Sequence, residues 1–341
     1  MKRSFSMMTD KRKLHRKKMK RKKRRRRLMF GCLLLFLVLA ASGLGYASFL
    51  MHKMKTAMNE AYEEIGAKKN TGDHLDPKKD SFTVLFIGID DSKTRNFKSD
   101  TRSDALILAA FNADTQLVKM VSIPRDSYVY IPCEDKYDKI THAHAYGGTK
   151  CTIESIERLF DIPIDYYVKM NFYAFIDVVD ALGGIEVEVP YNIREKDAED
   201  NRNAIVLKKG YQHLNGEEAL ALARTRKKDN DIERGKRQQQ ILQAILKKAS
   251  HAGSISKYDD VIEAIGSNMK TNFTFDDIKA LIYYVSTGNP LQTESLVLQG
   301  TDDNEGVYYY RLDEESVQQI SDALRSQLHA SAGTQLEKER N

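Results

Sequence analysis

Neither a Gly-x-x-x-x-Gly-Lys-Ser/Thr loop nor a Gly-x-Ser-x-Gly elbow occurs in the 341 residues. Their absence argues against a nucleotide-driven motor and against an α/β-hydrolase. Cysteine is scarce, limited to Cys32, Cys133 and Cys151. The cysteine spacing fits no zinc pattern, and the His142-x-His144 pair lacks a third nitrogen or sulfur ligand at suitable spacing. Internal repeats are absent, and no low-complexity tract occurs beyond the N-terminal tail. Charge is missing from Leu28 to Met51, a run of 24 residues. As a helix that run reaches about 36 Å, enough for a hydrocarbon core of about 30 Å.

What is present is distributed unevenly. The net charge is +6, but residues 1–27 carry 16 Lys and Arg against one acid, Asp10. The remaining chain holds 38 basic and 47 acidic side chains, so a basic tail precedes a mildly acidic body. Arg24 to Arg27 abut the apolar run, and the positive-inside rule keeps the tail in the cytoplasm and exports the rest. The apolar stretch continues past Ala40–Gly43, which favours an uncleaved anchor over a signal peptide. The expected organisation is a cytoplasmic tail (1–27), a transmembrane helix (28–51), a stalk (52–80), a folded domain (81–328) and a C-terminal tail (329–341). The chain then sits in the cell membrane, single-pass and type II, with its folded domain extracellular. The tail has one aromatic residue, Phe5, and no base-stacking platform. Its charge is read as topology and attraction to anionic lipid heads, with no nucleic-acid partner.

Cys32 falls in the apolar run as a packing residue. Cys133 and Cys151 are both exported and enclose 17 residues, so a disulfide is expected to staple that loop. From Ser81 the pattern is that of an α/β domain. Strands are expected at 82–89, 105–111, 117–123, 165–170 and 185–189, from apolar and β-branched runs closed by turn residues. Helices are expected at 153–160, 172–182, 217–222, 232–249, 257–266, 275–286 and 313–328.

The first three strands join as a meander. Strand one ends at Asp90, strand two starts at Asp104 just after Arg102, and strand three ends at Arg125-Asp126. All four positions then share one sheet edge, where ligands of open α/β sheets commonly sit. Asp90 and Asp104 are read either as ligands of a hard cation such as Mg²⁺ or as turn caps pairing with Arg95 and Arg102. A second cluster follows at Arg224-Thr-Arg226, where an extended backbone would turn both arginines to one face. Beyond Asp231, Arg234, Gln238, Ile241 and Ile245 recur at helical spacing. Arginines beside a candidate cation site call for phosphates, which their planar forks grip bidentately.

These residues resemble a known family. Phe86-Ile-Gly-Ile-Asp90, Arg102-Ser-Asp104, Val121-Ser-Ile-Pro-Arg-Asp126, Lys139 to Gly148, Asp180 to Pro190, Leu214-Asn-Gly216, Ala223-Arg-Thr-Arg226 and Asp231-Ile-Glu-Arg234 with Arg237-Gln238 are similar, in order, to the LytR-CpsA-Psr signature. The resemblance implies a three-layer α/β/α domain with a central mixed sheet, here preceded by one transmembrane helix, and an apolar lipid groove between sheet and helices. It implies an enzyme, a phosphotransferase that moves teichoic acid or a similar anionic glycopolymer from undecaprenyl pyrophosphate to peptidoglycan. By position, Asp90 and Asp104 match the ligands of Mg²⁺, with Mn²⁺ as a substitute. Arg102, Arg125, Arg224, Arg226, Arg234 and Gln238 match the pyrophosphate clamp. Arg125 is expected in catalysis, with Asp126 or Asp231 taking the acceptor's proton. Thr141-His142 and Ile232-Glu233 depart from the common pattern and bear on the acceptor side. The alternative reading is a non-catalytic lipid or wall scaffold, or a membrane-bound transcriptional attenuator; an exported body has no access to DNA.

Overall fold

The computed structural model describes residues 45–46, 48–65, 75–77, 79–89, 101–226, 230–249, 268–286 and 291–338. The basic tail, most of the expected span, Asp90 and the helix expected at 257–266 lie outside them. The chain divides into two compact units, 1–53 and 54–341. The following concerns the second. Among the described residues no helix is long and apolar enough to cross a membrane.

The meander forms as expected. β1 (Phe82–Ile89) pairs antiparallel with β2 (Ser103–Phe111), and β2 with β3 (Leu117–Ser122). Asn112 makes the turn by accepting from the backbone N–H groups of Asp114 and Thr115. β6 (Tyr166–Met170) adds parallel to β1, β12 (Gln292–Val297) parallel to β3, and β11 (Met269–Thr271) antiparallel to β6. The result is a six-stranded mixed sheet, ordered β11-β6-β1-β2-β3-β12.

Alternation in these strands fills both faces. Leu85, Ile87, Leu106, Leu108 and Val121 meet α1 (Ile140–Phe160) and α6 (Glu314–Lys338) through Ile140, Ile156, Phe160, Ile320 and Leu324. Phe82, Val84, Ala109 and Met120 face the other way. They meet Leu242 of α4 (Asp231–Ala249) and Ile278 and Leu281 of α5 (Phe275–Ser286). A third cluster joins α2 (Phe172–Ala181), β7 (Ile185–Val189), the hairpin of β8 (Ile193–Glu195) and β9 (Ile205–Leu207), β10 (Gly210–Leu214), α3 (Gly216–Arg224) and the flank of α4. A further antiparallel pair is formed by β13 (Gly300–Asp303) and β14 (Tyr309–Leu312). The architecture is α/β/α.

Three boundaries differ from the sequence expectation. The expected stalk is helical over residues 54–61, as its sequence allows, but it is not a free linker: Met58 and Ala61 are buried and Met58 packs on Phe82 and Val84, so it contributes to the core. The 128–139 stretch is not only turns. β4 (Tyr128–Ile131) and β5 (Lys136–Lys139) make a hairpin, and α1 begins at Ile140 rather than near 153. β4, Tyr-Val-Tyr-Ile, does alternate, with Val129 and Ile131 buried, but β5, Lys-Tyr-Asp-Lys, has no apolar period to pair with it. At the other end α6 continues to Lys338, ten residues beyond the expected stop at 328.

Helix α1 breaks at Gly147 and Gly148, the latter at φ 63°, ψ −149°. A Cβ at Gly147 would lie 2.7 Å from the Cβ of Cys151, so glycine permits the approach of the Cys133–Cys151 disulfide. That bridge ties the hairpin to the second half of α1. Closing a loop of this size contributes about 3 kcal/mol. Reduction of the folded protein should therefore lower its Tm. Thiol labelling without reductant should modify neither cysteine, and labelling of both would refute the bridge.

Candidate functional site

The site lies where β1 ends, β2 begins and β3 hands over to Pro124. The turn at 124–127 is fixed by backbone hydrogen bonds from several directions. Ser127 N donates to Pro124 O at 3.0 Å, and the first amides of α1 donate outward, Ile140 N to Ser127 O at 2.9 Å and Thr141 N to Arg125 O at 3.0 Å. Tyr310 N donates to Asp126 O at 2.9 Å from β14 (Tyr309–Leu312). Amides at a helix start have no intrahelical partner, so here they anchor this turn. Thr141 adds its hydroxyl to Ser103 O at 2.7 Å, joining the same turn to the start of β2.

From that rigid turn the Arg125 guanidinium reaches Asp104, Nη1 to Oδ1 at 2.7 Å; the two share the expected edge, and the partner of Asp104 is Arg125. Its Nε stands 3.4 Å from Asp126 Oδ2, close enough for charge attraction but poorly aimed for a hydrogen bond. Burial tends to lower the Arg125 pKa, but Asp104, Asp126 and Asp231 outweigh it and hold the guanidinium charged. Asp126 is buried and takes Lys139 Nζ at 2.8 Å. Burial opposes its ionisation, yet Lys139 and Arg125 prevail and keep its carboxyl below the usual range.

Helix α4 brings the second set. It can lie against β3 because residue 235 is glycine: a Cβ there would meet Ser122 Oγ at 2.7 Å. Next to it Arg234 is buried, donating from Nη2 to Asp104 O at 3.2 Å and standing 3.5 Å from Asp231. Arg226 lies 3.7 Å from the same Asp231 oxygen. Burial, with Arg226 and Arg125 nearby, depresses the Arg234 pKa against the pull of Asp231 and Asp104. Arg125, Arg226, Arg234, Asp104, Asp126 and Asp231 thus converge at one sheet edge.

The other expected residues are placed differently. Arg224 is the last residue of α3, not part of an extended segment. Its Nη1 donates to Asp197 O at 3.4 Å, Nη2 lies 3.9 Å from Asp200, and the guanidinium stacks 4.6 Å over Phe172. Gln238 makes a long contact with Ala223 O at 3.4 Å. Arg102 is exposed at the start of β2. Ile241 is buried among Val179, Val187 and Leu222, so it belongs to a filled core; the residue of α4 that packs on the sheet cluster is Leu242. His142 pairs with Asp138 at 3.0 Å while His144 meets Thr101 O at 2.6 Å, so the two imidazoles are directed at different partners. Two residues carry more than the sequence assigned. Lys139 heads a quoted motif without a role there. Arg237 is buried and donates to Leu222 O at 3.2 Å and Thr225 O at 2.5 Å.

Among the described residues no three His, Cys, Asp or Glu side chains form a metal set. Asp104 Oδ1 is occupied by Arg125, while Oδ2 accepts no hydrogen bond from the described residues. One open carboxylate oxygen fits a cation that takes few protein ligands and completes its shell with phosphate and water. It does not fit a closed zinc site.

Three arginines converging beside an open carboxylate at the edge of a three-layer α/β/α sheet are the arrangement that bidentate phosphate binding calls for. The chain belongs to the LytR_cpsA_psr family, whose model matches residues 48–326. It is 39% identical over 325 residues to the polyisoprenyl-teichoic acid–peptidoglycan teichoic acid transferase TagT of Bacillus subtilis strain 168, covering 94% of this chain and 99% of that one. The structure of TagT bound to LIIa-WTA superposes with a TM-score of 0.65 at 40% identity, over 76% of this chain and 95% of that one. TagT with bound octaprenyl pyrophosphate lipid gives 0.61 at 38% identity, again over 76% and 95%.

Proposed function

We propose that this chain is a membrane-anchored transferase that moves an anionic glycopolymer, teichoic acid or similar, from undecaprenyl pyrophosphate to peptidoglycan. The observation that carries the reading is Arg125, held by Asp104 on a turn fixed from α1 and β14, facing Arg226 and Arg234. The relatives act on polyisoprenyl-linked teichoic acid by name, and one holds a prenyl pyrophosphate. The apolar run before the domain supports an anchor with the domain outside the cell.

Arg125, Arg226 and Arg234 bind the pyrophosphate oxygens, with Arg102, Arg224 and Gln238 closing around the donor. The prenyl chain lies along the sheet face beneath α4 and α5, where Phe86, Val168, Leu242, Ile278 and Leu281 are only partly buried. At about 25 cal/mol per Å² of apolar surface the chain supplies affinity, while the arginines orient the reacting phosphorus. A peptidoglycan hydroxyl attacks the phosphorus that carries the glycan. A new P–O bond forms, the P–O bond to the lipid phosphate breaks, and the product is a phosphodiester. Asp231 takes the hydroxyl proton. Asp126, already engaged by Lys139 and Arg125, keeps Arg125 in position. Mg²⁺ bound by Asp104 and Asp90, or Mn²⁺ in its place, would add charge stabilisation at the phosphate oxygens.

Transfer from a synthetic polyprenyl pyrophosphate glycan to peptidoglycan oligomers, followed by mass spectrometry, tests the reading directly. EDTA should reduce turnover at least about a hundredfold, and Mg²⁺ should restore it. Full turnover in EDTA would remove the cation from the scheme and leave the arginines as the only charge stabilisers.

A further inference from the structure

Beside the arginine edge lies a tyrosine-lined cleft that the chemistry above does not use. Tyr137 of β5 is 60% exposed, although its ring stacks 5.5 Å from Tyr128 and meets Tyr130 edge-on at 5.4 Å. Tyr309 meets Tyr128 edge-on at 4.9 Å, and the Arg311 guanidinium sits 4.0 Å over the Tyr128 ring. Tyr128, Tyr130, Tyr137 and Arg311 line a cleft of about 620 Å³ that runs towards α6. A ring this exposed does not serve the core, and an ordered group of aromatic faces with polar rims marks a binding surface. Pyranose rings present flat C–H faces that pack on aromatic faces, with hydroxyls left for the rim.

The tyrosine group neighbours the transfer site at its Tyr128 and Tyr309 end. Tyr128 follows Asp126 by two residues, Ser127 bridges Tyr310, and Lys139, the partner of Asp126, lies 5.7 Å from the Tyr309 ring centroid. It is built on the layer opposite the prenyl-binding face: Val129 and Ile131 of β4 pack into the cluster under α1 and α6. Displacement at phosphorus is in line, so the nucleophile arrives from the side away from the departing lipid phosphate. Charge separates the two glycans. Arg311 is neutralised by Asp303 at 2.9 Å and Arg325 by Asp161 at 3.1 Å and Asp322 at 3.4 Å. Of the three cations in the lining only Arg158 has no ion pair among the described residues, and Asp161 and Glu314 line the same cleft, so it suits a sugar backbone better than a phosphate polymer.

Building on the proposed transferase reading, we infer that the Tyr128–Tyr137–Tyr309 surface is the platform on which the acceptor glycan strand of peptidoglycan lies. Tyr137→Ala in the full chain, held in detergent micelles, should raise KM for peptidoglycan oligomers about tenfold. KM for the donor lipid and kcat at saturating acceptor should not change. Tyr137→Phe should restore the parent value, because the ring face and not the hydroxyl makes the contact. A rise in donor KM instead would assign the cleft to the donor polymer and overturn the inference, as would no change in either. Titration of a peptidoglycan oligomer without donor, followed by tyrosine fluorescence, separates this from the parent reading. Binding that Tyr137→Ala weakens, in a protein that transfers nothing, would leave the platform standing and remove the transferase.

Discussion

Alanine at Arg125 should lower kcat/KM for glycopolymer transfer by about a thousandfold while the protein remains folded. The magnitude is that of removing a preorganised charged donor from a developing phosphate charge. Folding survives because the turn at 124–127 is held by main-chain bonds to Ser127, Ile140, Thr141 and Tyr310, none of which needs the Arg125 side chain. Losing the guanidinium leaves Asp104 without its 2.7 Å partner, but that carboxylate is part-exposed and can hydrate. Arg125→Lys keeps the charge and loses the planar fork, so kcat should fall more than prenyl pyrophosphate retention does. Retained lipid is measured by mass spectrometry of the purified variant, and turnover with added substrate. Should Arg125→Lys release the lipid yet turn over added substrate normally, Arg125 is an anchor and not a catalytic group.

The second large effect separates two arginines three residues apart on α4. Arg237→Ala should destabilise the domain by about 3–5 kcal/mol, since two charge-assisted hydrogen bonds to buried carbonyls are lost and the carbonyls stay buried. Those carbonyls, Leu222 O and Thr225 O, belong to the end of α3, where helix acceptors have no partner of their own. Tm should fall by about 10 °C. Arg234→Ala removes a guanidinium that is buried beside Arg226 and Arg125, and relief of that repulsion offsets the lost contacts with Asp231 and Asp104. Its Tm should shift by only a few degrees, whereas turnover should fall about a hundredfold. Thermal unfolding and transfer assays on the two variants decide the matter. The opposite pattern, with Arg234 stabilising and Arg237 catalytic, would reverse the assignment.

The meander was legible because its strands are near-continuous apolar runs with polar turns between them, and chain direction then dictates which ends share an edge. That reasoning puts Asp104 and Arg125 at one edge; that they pair with each other is seen only in the structure. The arginines after residue 220 were legible as a group but not individually. Periodicity gives the face of a helix, not its rotation against a neighbour, so neither the carbonyl contacts of Arg237 nor the core position of Ile241 is readable from spacing. In the hairpin at 128–139, Val129 and Ile131 mark the buried face of β4, while Lys-Tyr-Asp-Lys of β5 is charged and aromatic and leaves apolar alternation silent about the pairing.

The sequence by itself determined the strand and helix content of an α/β domain, the sheet edge that gathers Asp104 and Arg125, and the apolar run ahead of the domain. Each follows from spacing along one chain segment. Tertiary structure alone decided how helix α4 turns its arginines. A single missing Cβ at Gly235 lets α4 settle against Ser122 and sets Arg234 toward Asp104. It also decided that Lys139 restrains Asp126 and that four tyrosines from two strand pairs form one surface. The α4 and Tyr309 contacts join segments more than a hundred residues apart, and even the short-range Lys139–Asp126 pair depends on how the 128–139 hairpin packs; packing complementarity fixes both, and no local pattern encodes it.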